Sequence, residues 1–241
     1  MTGLMVQRYK ILCVLALTAV GLCIQGPAAA EVIKNAGAVN ALPSSDWSFW
    51  PDDDDQAPAG TVSGASRGSC SADQLTALMP ASQYGMTSKS HPEVLVATSV
   101  DIPSQALFSI QSDNDYYYET YIELPRTPGI VSIQLPAEAP ALAENELYQW
   151  SLILMCNERL RPDSPSLQGW IQMQSIANID NTQSSLEQAT EYRQAHLWYD
   201  MISLLADLRI QNPTDQAVNS AWQDVLEGTE LTEVANNPIL K

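Results

Sequence analysis

Leu147-Tyr148-Gln149-Trp150-Ser151-Leu152-Ile153-Leu154-Met155-Cys156 is the stretch whose reading decides the fold. Successive side chains of an extended chain point to opposite faces. Tyr148, Trp150, Leu152, Leu154 and Cys156 therefore share one face of the most apolar strand in the sequence. Upstream, Tyr116–Leu124 alternates in the same way: Tyr117, Glu119, Tyr121 and Glu123 fall on one face, Tyr116, Tyr118, Thr120, Ile122 and Leu124 on the other. The second face is the better core candidate. Val94–Val100, Gln105–Gln111, Ile130–Leu135 and Leu167–Gln174 are further β-prone runs. Ser112-Asp113-Asn114-Asp115 has turn composition, as does Pro125 to Gly129. Six short strands with frequent turns predict an antiparallel β-sandwich-like body.

The pattern changes after Ile176. Leu197, Met201, Leu204, Leu205 and Leu208 lie at helical spacing, and Asn212-Pro213 ends that stripe. Thr214 is placed to cap a second helix through Val218, Trp222, Val225 and Leu226, with Gly228 at its stop. A last short helix covers Thr232 to Ala235. Strands first and helices afterwards argue α+β, with a C-terminal helical hairpin packed on the sheet body. The helical part is too small for a core of its own.

The N-terminus reads as a secretory leader. Arg8 and Lys10 precede the apolar run Ile11–Ile24, and Ala28-Ala29-Ala30 supplies small residues before Glu31. The run is shorter than the roughly 20 residues of a membrane span. The expected organisation is a signal peptide at 1–30, a flexible tether at 31–69 and one folded domain at 70–241, β-rich to 175 and helical from 176. That places the mature chain in the periplasm or outside the cell, with no transmembrane segment after cleavage. Cys13 and Cys23 leave with the leader; Cys70 and Cys156 remain and read as a disulfide. The leader holds two of the 11 basic residues and none of the 28 acidic ones, which leaves the mature chain at −19. Nucleic acid and anionic lipid are repelled by such a surface; a basic partner is attracted.

Several stretches resemble one family. They are Gly64-Ala65-Ser66-Arg67-Gly68 before Cys70, Leu124-Pro125 with Pro128 to Pro136, Trp150 to Cys156, Gly169-Trp170-Ile171-Gln172, and Trp198-Tyr199-Asp200 on to Leu208-Arg209 and Asn212-Pro213. Trp222 and Pro238-Ile239 fit as well. From about Phe49 onward the chain resembles domain-of-unknown-function family 928, found mainly in cyanobacteria. The resemblance implies an exported protein with a β-rich body and a helical tail, and it implies no established activity. The chain departs from the family pattern at Val94–Val100, aliphatic where relatives tend to be aromatic, and at Met173, where relatives are often basic. Tyr199, Met201, Leu205, Leu208 and Pro213 also echo a tetratricopeptide helix. Such repeats need stacked copies, so a structural hairpin is the better reading.

Catalytic motifs do not hold. Gly64-Ala65-Ser66-Arg67-Gly68 matches G-x-S-x-G, yet a Pro/Ala/Gly linker precedes it instead of a strand. Cys70 with His91 would be a thiol and its base, but Cys156 is available to oxidise Cys70. His91 sits before Pro92 and His196 beside Leu197, neither in a recognisable active-site context, and no zinc spacing is present. Asp52–Asp55 lacks the glycine and glutamate of a calcium loop, and Asp113-Asn114-Asp115 reads as a hairpin turn. Glu119 and Glu123 stand about 13 Å apart along one strand, too far for a glycosidase pair; pairing with Glu144 or Glu146 stays open. No catalytic residue, cofactor or metal is assigned. The leading expectation is a non-catalytic binding module for a protein or envelope component. Its candidate contacts are Trp47, Phe49 and Trp50 beside Asp52–Asp55, and Tyr117 and Tyr121 between Glu119 and Glu123. The alternative is a carboxylate-dependent hydrolase acting on an envelope or extracellular substrate.

Overall fold

A computed structural model describes residues 74–99, 102–156, 159–176 and 185–240. The strands are β1 (Leu75–Ala77), β2 (Tyr84–Thr87), β3 (Glu93–Thr98), β4 (Gln105–Gln111), β5 (Tyr117–Glu123), β6 (Gly129–Gln134), β7 (Leu147–Leu154), β8 (Ser166–Met173) and β9 (Ile239–Leu240). The helices are α1 (Leu186–Gln194), α2 (Trp198–Gln211) and α3 (Gln216–Gly228), with a 3-10 turn at Thr232–Val234.

The strands form two sheets. A four-stranded sheet runs β1-β3-β6-β9 and a five-stranded sheet runs β2-β8-β7-β4-β5. Pairing is antiparallel except for β2 with β8 and β6 with β9, which are parallel. The aliphatic run of β3 is buried at every position, as expected where both faces of a strand are covered. The deciding stretch behaves as its alternation requires: Tyr148, Trp150, Leu152 and Leu154 are buried, and the residues between them are half-buried. β4 and β5 form a hairpin around Asp113-Asn114-Asp115, with Asp115 in the left-handed region at φ 62°.

The helical part contains three helices, not the two of a hairpin. α1 is polar and buries only Gln188, Ala189 and Tyr192, so it gives little apolar periodicity to read; Ser185 caps it, accepting from Gln188 N at 3.1 Å. α2 is almost wholly buried and packs on α1, α3, β2 and β3. α3 is capped by Asp215, one residue beyond the expected Thr214. The Asp215 carboxylate accepts from both Ala217 N (2.8 Å) and Val218 N (3.2 Å).

Buried aromatics join helix to sheet through their polar ends. Trp150 Nε1 donates to the Tyr199 hydroxyl at 2.8 Å, and that hydroxyl donates to Trp170 O at 3.0 Å. Trp198 Nε1 donates to Leu78 O at 2.9 Å. Trp150, Trp198 and Tyr199 thus bury large area with their donors paired, whereas the buried Trp170 Nε1 has no hydrogen-bond partner among the described residues. Gly169 is needed beneath them: a Cβ there would run into Met79 Sδ and lie 2.7 Å from the Trp150 ring. At the other end of α2, Arg209 lies over Trp222 at 5.4 Å and donates from Nη1 to Ala235 O at 3.0 Å. Trp222 Nε1 donates to the same carbonyl at 2.9 Å. These contacts draw the chain after α3 back toward β6, where β9 pairs. Among the described residues no helix is long and apolar enough to cross a membrane.

Candidate functional site: the outer face of the five-stranded sheet

β5 is an edge strand of the five-stranded sheet. Tyr117, Glu119, Tyr121 and Glu123 are exposed, while Tyr118, Thr120 and Ile122 are half-buried against the core. Tyr117 is 57% exposed and Tyr121 62%. The face predicted to point outward does so. The strand register extends this face across the sheet. Tyr117 lies opposite Gln111, Glu119 opposite Ser109, and Tyr121 opposite Leu107. Those three lie opposite Gln149, Ser151 and Ile153 of β7. Next on β8 come Trp170, Gln168 and Ser166.

Hydrogen bonds order this surface. Ser109 Oγ and Ser151 Oγ are 2.8 Å apart. Gln149 Nε2 donates to Gln168 Oε1 at 3.3 Å, and Gln111 Nε2 to Gln149 Oε1 at 3.5 Å. The Tyr117 hydroxyl donates to Glu119 Oε2, which raises the phenol's pKa because ionisation would place two negative charges together. At the hairpin end, Tyr116 donates to Pro140 O at 2.6 Å and meets Tyr148 edge to face at 4.9 Å. Burial, then the neighbouring Tyr148 and Tyr118, push the Tyr116 phenol up to about 12.

The face has a second property. β2, β4, β7 and β8 contain no charged residue, and the only charges in the sheet are Glu119 and Glu123 on β5. In a chain with 28 acidic and 11 basic residues, this leaves an uncharged field in which amides and hydroxyls stand among Leu107, Ile153 and Trp170, bordered by two exposed tyrosines. Gln111, Gln149, Gln168, Ser109 and Ser151 escaped the sequence reading, which ranked candidates by reactive or aromatic side chains. The lack of charge in the strand candidates Gln105–Gln111, Leu147–Cys156 and Leu167–Gln174 was the signal for them.

Other sequence candidates lie apart. Trp47, Phe49, Trp50, Asp52–Asp55, Gly64-Ala65-Ser66-Arg67-Gly68 and Cys70 fall outside the described residues. Cys156 is half-buried just beyond β7. His91 sits in the turn before β3, with Nδ1 3.1 Å from Ser90 Oγ and Nε2 3.0 Å from Ala139 O. His196 occupies the α1–α2 turn at φ 59°. Glu146 accepts from Ser112 Oγ, and Glu144 makes an isolated bridge to Met173. Among the described residues, no group of three or more His, Cys, Asp or Glu is placed to hold a metal ion.

Residues 62–239 match the family described as Domain of Unknown Function (DUF928). The chain belongs to this family. No curated protein and no solved structure matches it. The DUF928 region takes in every described helix and all the strands through Ile239 of β9, so the outer sheet face belongs to the family domain itself.

Two further polar features of the DUF928 domain lie elsewhere. Asp200, 1% exposed near the start of α2, accepts from Ser88 N at 2.7 Å and from Ser88 Oγ at 3.0 Å, with Lys89 Nζ at 4.0 Å. Burial outweighs these partners and raises its pKa. An open groove of about 370 Å³ is lined by Arg209, Ile210, Pro213, Asn219 and residues 236–239. Burial lowers the Arg209 pKa.

Proposed function

We propose that this DUF928 protein is an exported, non-catalytic binding module of the periplasm or cell envelope. In this reading its contact surface is the outer face of the five-stranded sheet. The observation that carries it is the exposure of Tyr117 and Tyr121 at the border of an uncharged sheet face. Solvated faces normally carry charge, and large aromatics kept in water at a strand edge are the usual material of contact surfaces. Glu119 and Glu123 form a negative rim, which favours a neutral or basic partner over an anionic one.

The rest of the organisation follows from the sequence. A signal peptide is removed before Glu31, residues 31–69 tether the domain of 70–241, and Cys70 pairs with Cys156. Mass spectrometry of the exported protein checks the first point by finding Glu31 at the N-terminus. Thiol titration under denaturing, non-reducing conditions checks the last by finding no free thiol.

The functional test is binding of the purified mature chain to washed envelope preparations. Tyr117→Ala/Tyr121→Ala and a deletion of 46–55 are compared with wild type. Loss of binding in the tyrosine variant, with thermal unfolding unchanged, is the expected result. Undiminished binding removes the sheet face from the reading, and undiminished binding in the deletion removes Trp47, Phe49 and Trp50. Substrate turnover abolished by replacing one or two carboxylates would overturn the non-enzymatic assignment.

A further inference from the structure

We infer that the ligand of this face is a neutral polysaccharide chain. The inference rests on the binding-module reading and adds its ligand class. Three properties of the surface converge on it. The first is the absence of charge. Protein interfaces commonly anchor through arginine and paired charges. The strands β4, β7 and β8 offer none.

The second is the hydrogen-bonding inventory. A glutamine amide presents a carbonyl acceptor and two N–H donors on one rigid plane, and a serine hydroxyl does both tasks. Gln111, Gln149 and Gln168 form a bonded ladder, and Ser109 pairs with Ser151. Each link uses one donor, and the glutamine amides keep a second N–H beyond it. Vicinal sugar hydroxyls need donors and acceptors together, at close spacing, without the cost of desolvating an ion.

The third is the aromatic border. The C–H face of a pyranose is apolar and slightly positive, so it packs on the electron-rich face of a phenol ring. Tyr117 and Tyr121 stand four residues apart on β5, about 13 Å along the strand, and β5 to β8 spans about 14 Å. The result is an extended platform suited to a linear chain. Anionic polymers are disfavoured by Glu119 and Glu123 and by the mature chain's formal net charge of −19. A peptide partner would instead add a strand along β5, an edge of the sheet among the described residues, through backbone bonds, and such binding would be indifferent to the glutamines.

The test is affinity electrophoresis of the mature chain in gels containing hydroxyethyl cellulose, galactomannan, xylan or dextran. Carboxymethyl cellulose serves as the anionic counterpart. The expected result is retardation by at least one neutral polymer and none by carboxymethyl cellulose. Tyr117→Ala/Tyr121→Ala should weaken it by about tenfold or more, because both ring contacts are lost. Gln149→Ala and Gln168→Ala should each weaken it severalfold. No retardation by any neutral polymer, or retardation that all these variants leave unchanged, overturns the assignment. If neutral polymers fail while envelope binding still depends on Tyr117 and Tyr121, the ligand class falls and the contact surface stands. If envelope binding ignores both tyrosines, the surface falls as well.

Discussion

All six residues of β3 are buried, whereas the seven of β5 alternate between exposed and half-buried. The two strands belong to different sheets of one body and obey the same pleat. What differs is how many faces are covered. β3 is covered on both, so its sequence is a continuous apolar run apart from Glu93 and Thr98. Those two are paired: Ser132 Oγ donates to Glu93, and Thr98 Oγ1 donates to Gly129 O at 3.1 Å. β5 keeps one face exposed and β7 keeps one face only half-buried, so their sequences alternate. Unbroken hydrophobicity marks a strand covered on both faces; alternation marks one covered on a single face.

The comparison breaks most visibly through charge. Leu95→Asp and Val96→Asp point to opposite faces of β3, and both should cost more than about 4 kcal/mol, because either face buries an unpaired carboxylate. Guanidinium unfolding measures this; a tolerated substitution at either position would mean that one face of β3 is open. Next in size is Trp150→Ala, expected to cost about 3–5 kcal/mol through the cavity and the lost bond to Tyr199. Its strand neighbour Ser151→Ala should cost about 1 kcal/mol, the value of one hydroxyl bond.

Asp200 sharpens the contrast between buried and open polar groups through pH. Its folded-state pKa is raised, so the native state holds the proton more tightly than the unfolded chain. The associated stabilisation is complete below the ordinary aspartate pKa and is lost as pH rises through the raised value. Asp200→Asn should remove that pH-dependent component. The difference between wild-type and variant unfolding free energies across this range should therefore fall with rising pH; a flat difference would refute the shift. The smallest effects belong to the open face, where Tyr117→Ala and Tyr121→Ala should each change stability by no more than about 0.5 kcal/mol. A larger loss would show that the tyrosines serve the fold.

The fold was legible where apolar spacing carried it. All six predicted strands are present, Gln105–Gln111 with its bounds unchanged, and the α2 and α3 stripes are buried as read. What escaped was short or polar. β1, β2 and β9 have three, four and two residues, too few to show a period. Their pairing with β3, β8 and β6 is non-local, so nothing nearby in the sequence announces it. α1 was hidden by its polar surface. At the candidate site, Tyr117 and Tyr121 were legible from alternation. The glutamine ladder was not, because it exists only once three strands are set side by side.

The pairing of β9 has a consequence for when the domain can form. Ile239 and Leu240 bond to a strand centred near residue 131, and Arg209 and Trp222 hold the intervening chain by the carbonyl of Ala235. The four-stranded sheet cannot be finished until residue 240 is available, however early its other strands are made. Contacts this distant in sequence are slow to close, because the connecting chain must first surrender its freedom. A nascent polypeptide of this topology therefore lacks the β9 edge of its four-stranded sheet until the last residues of that strand have been made.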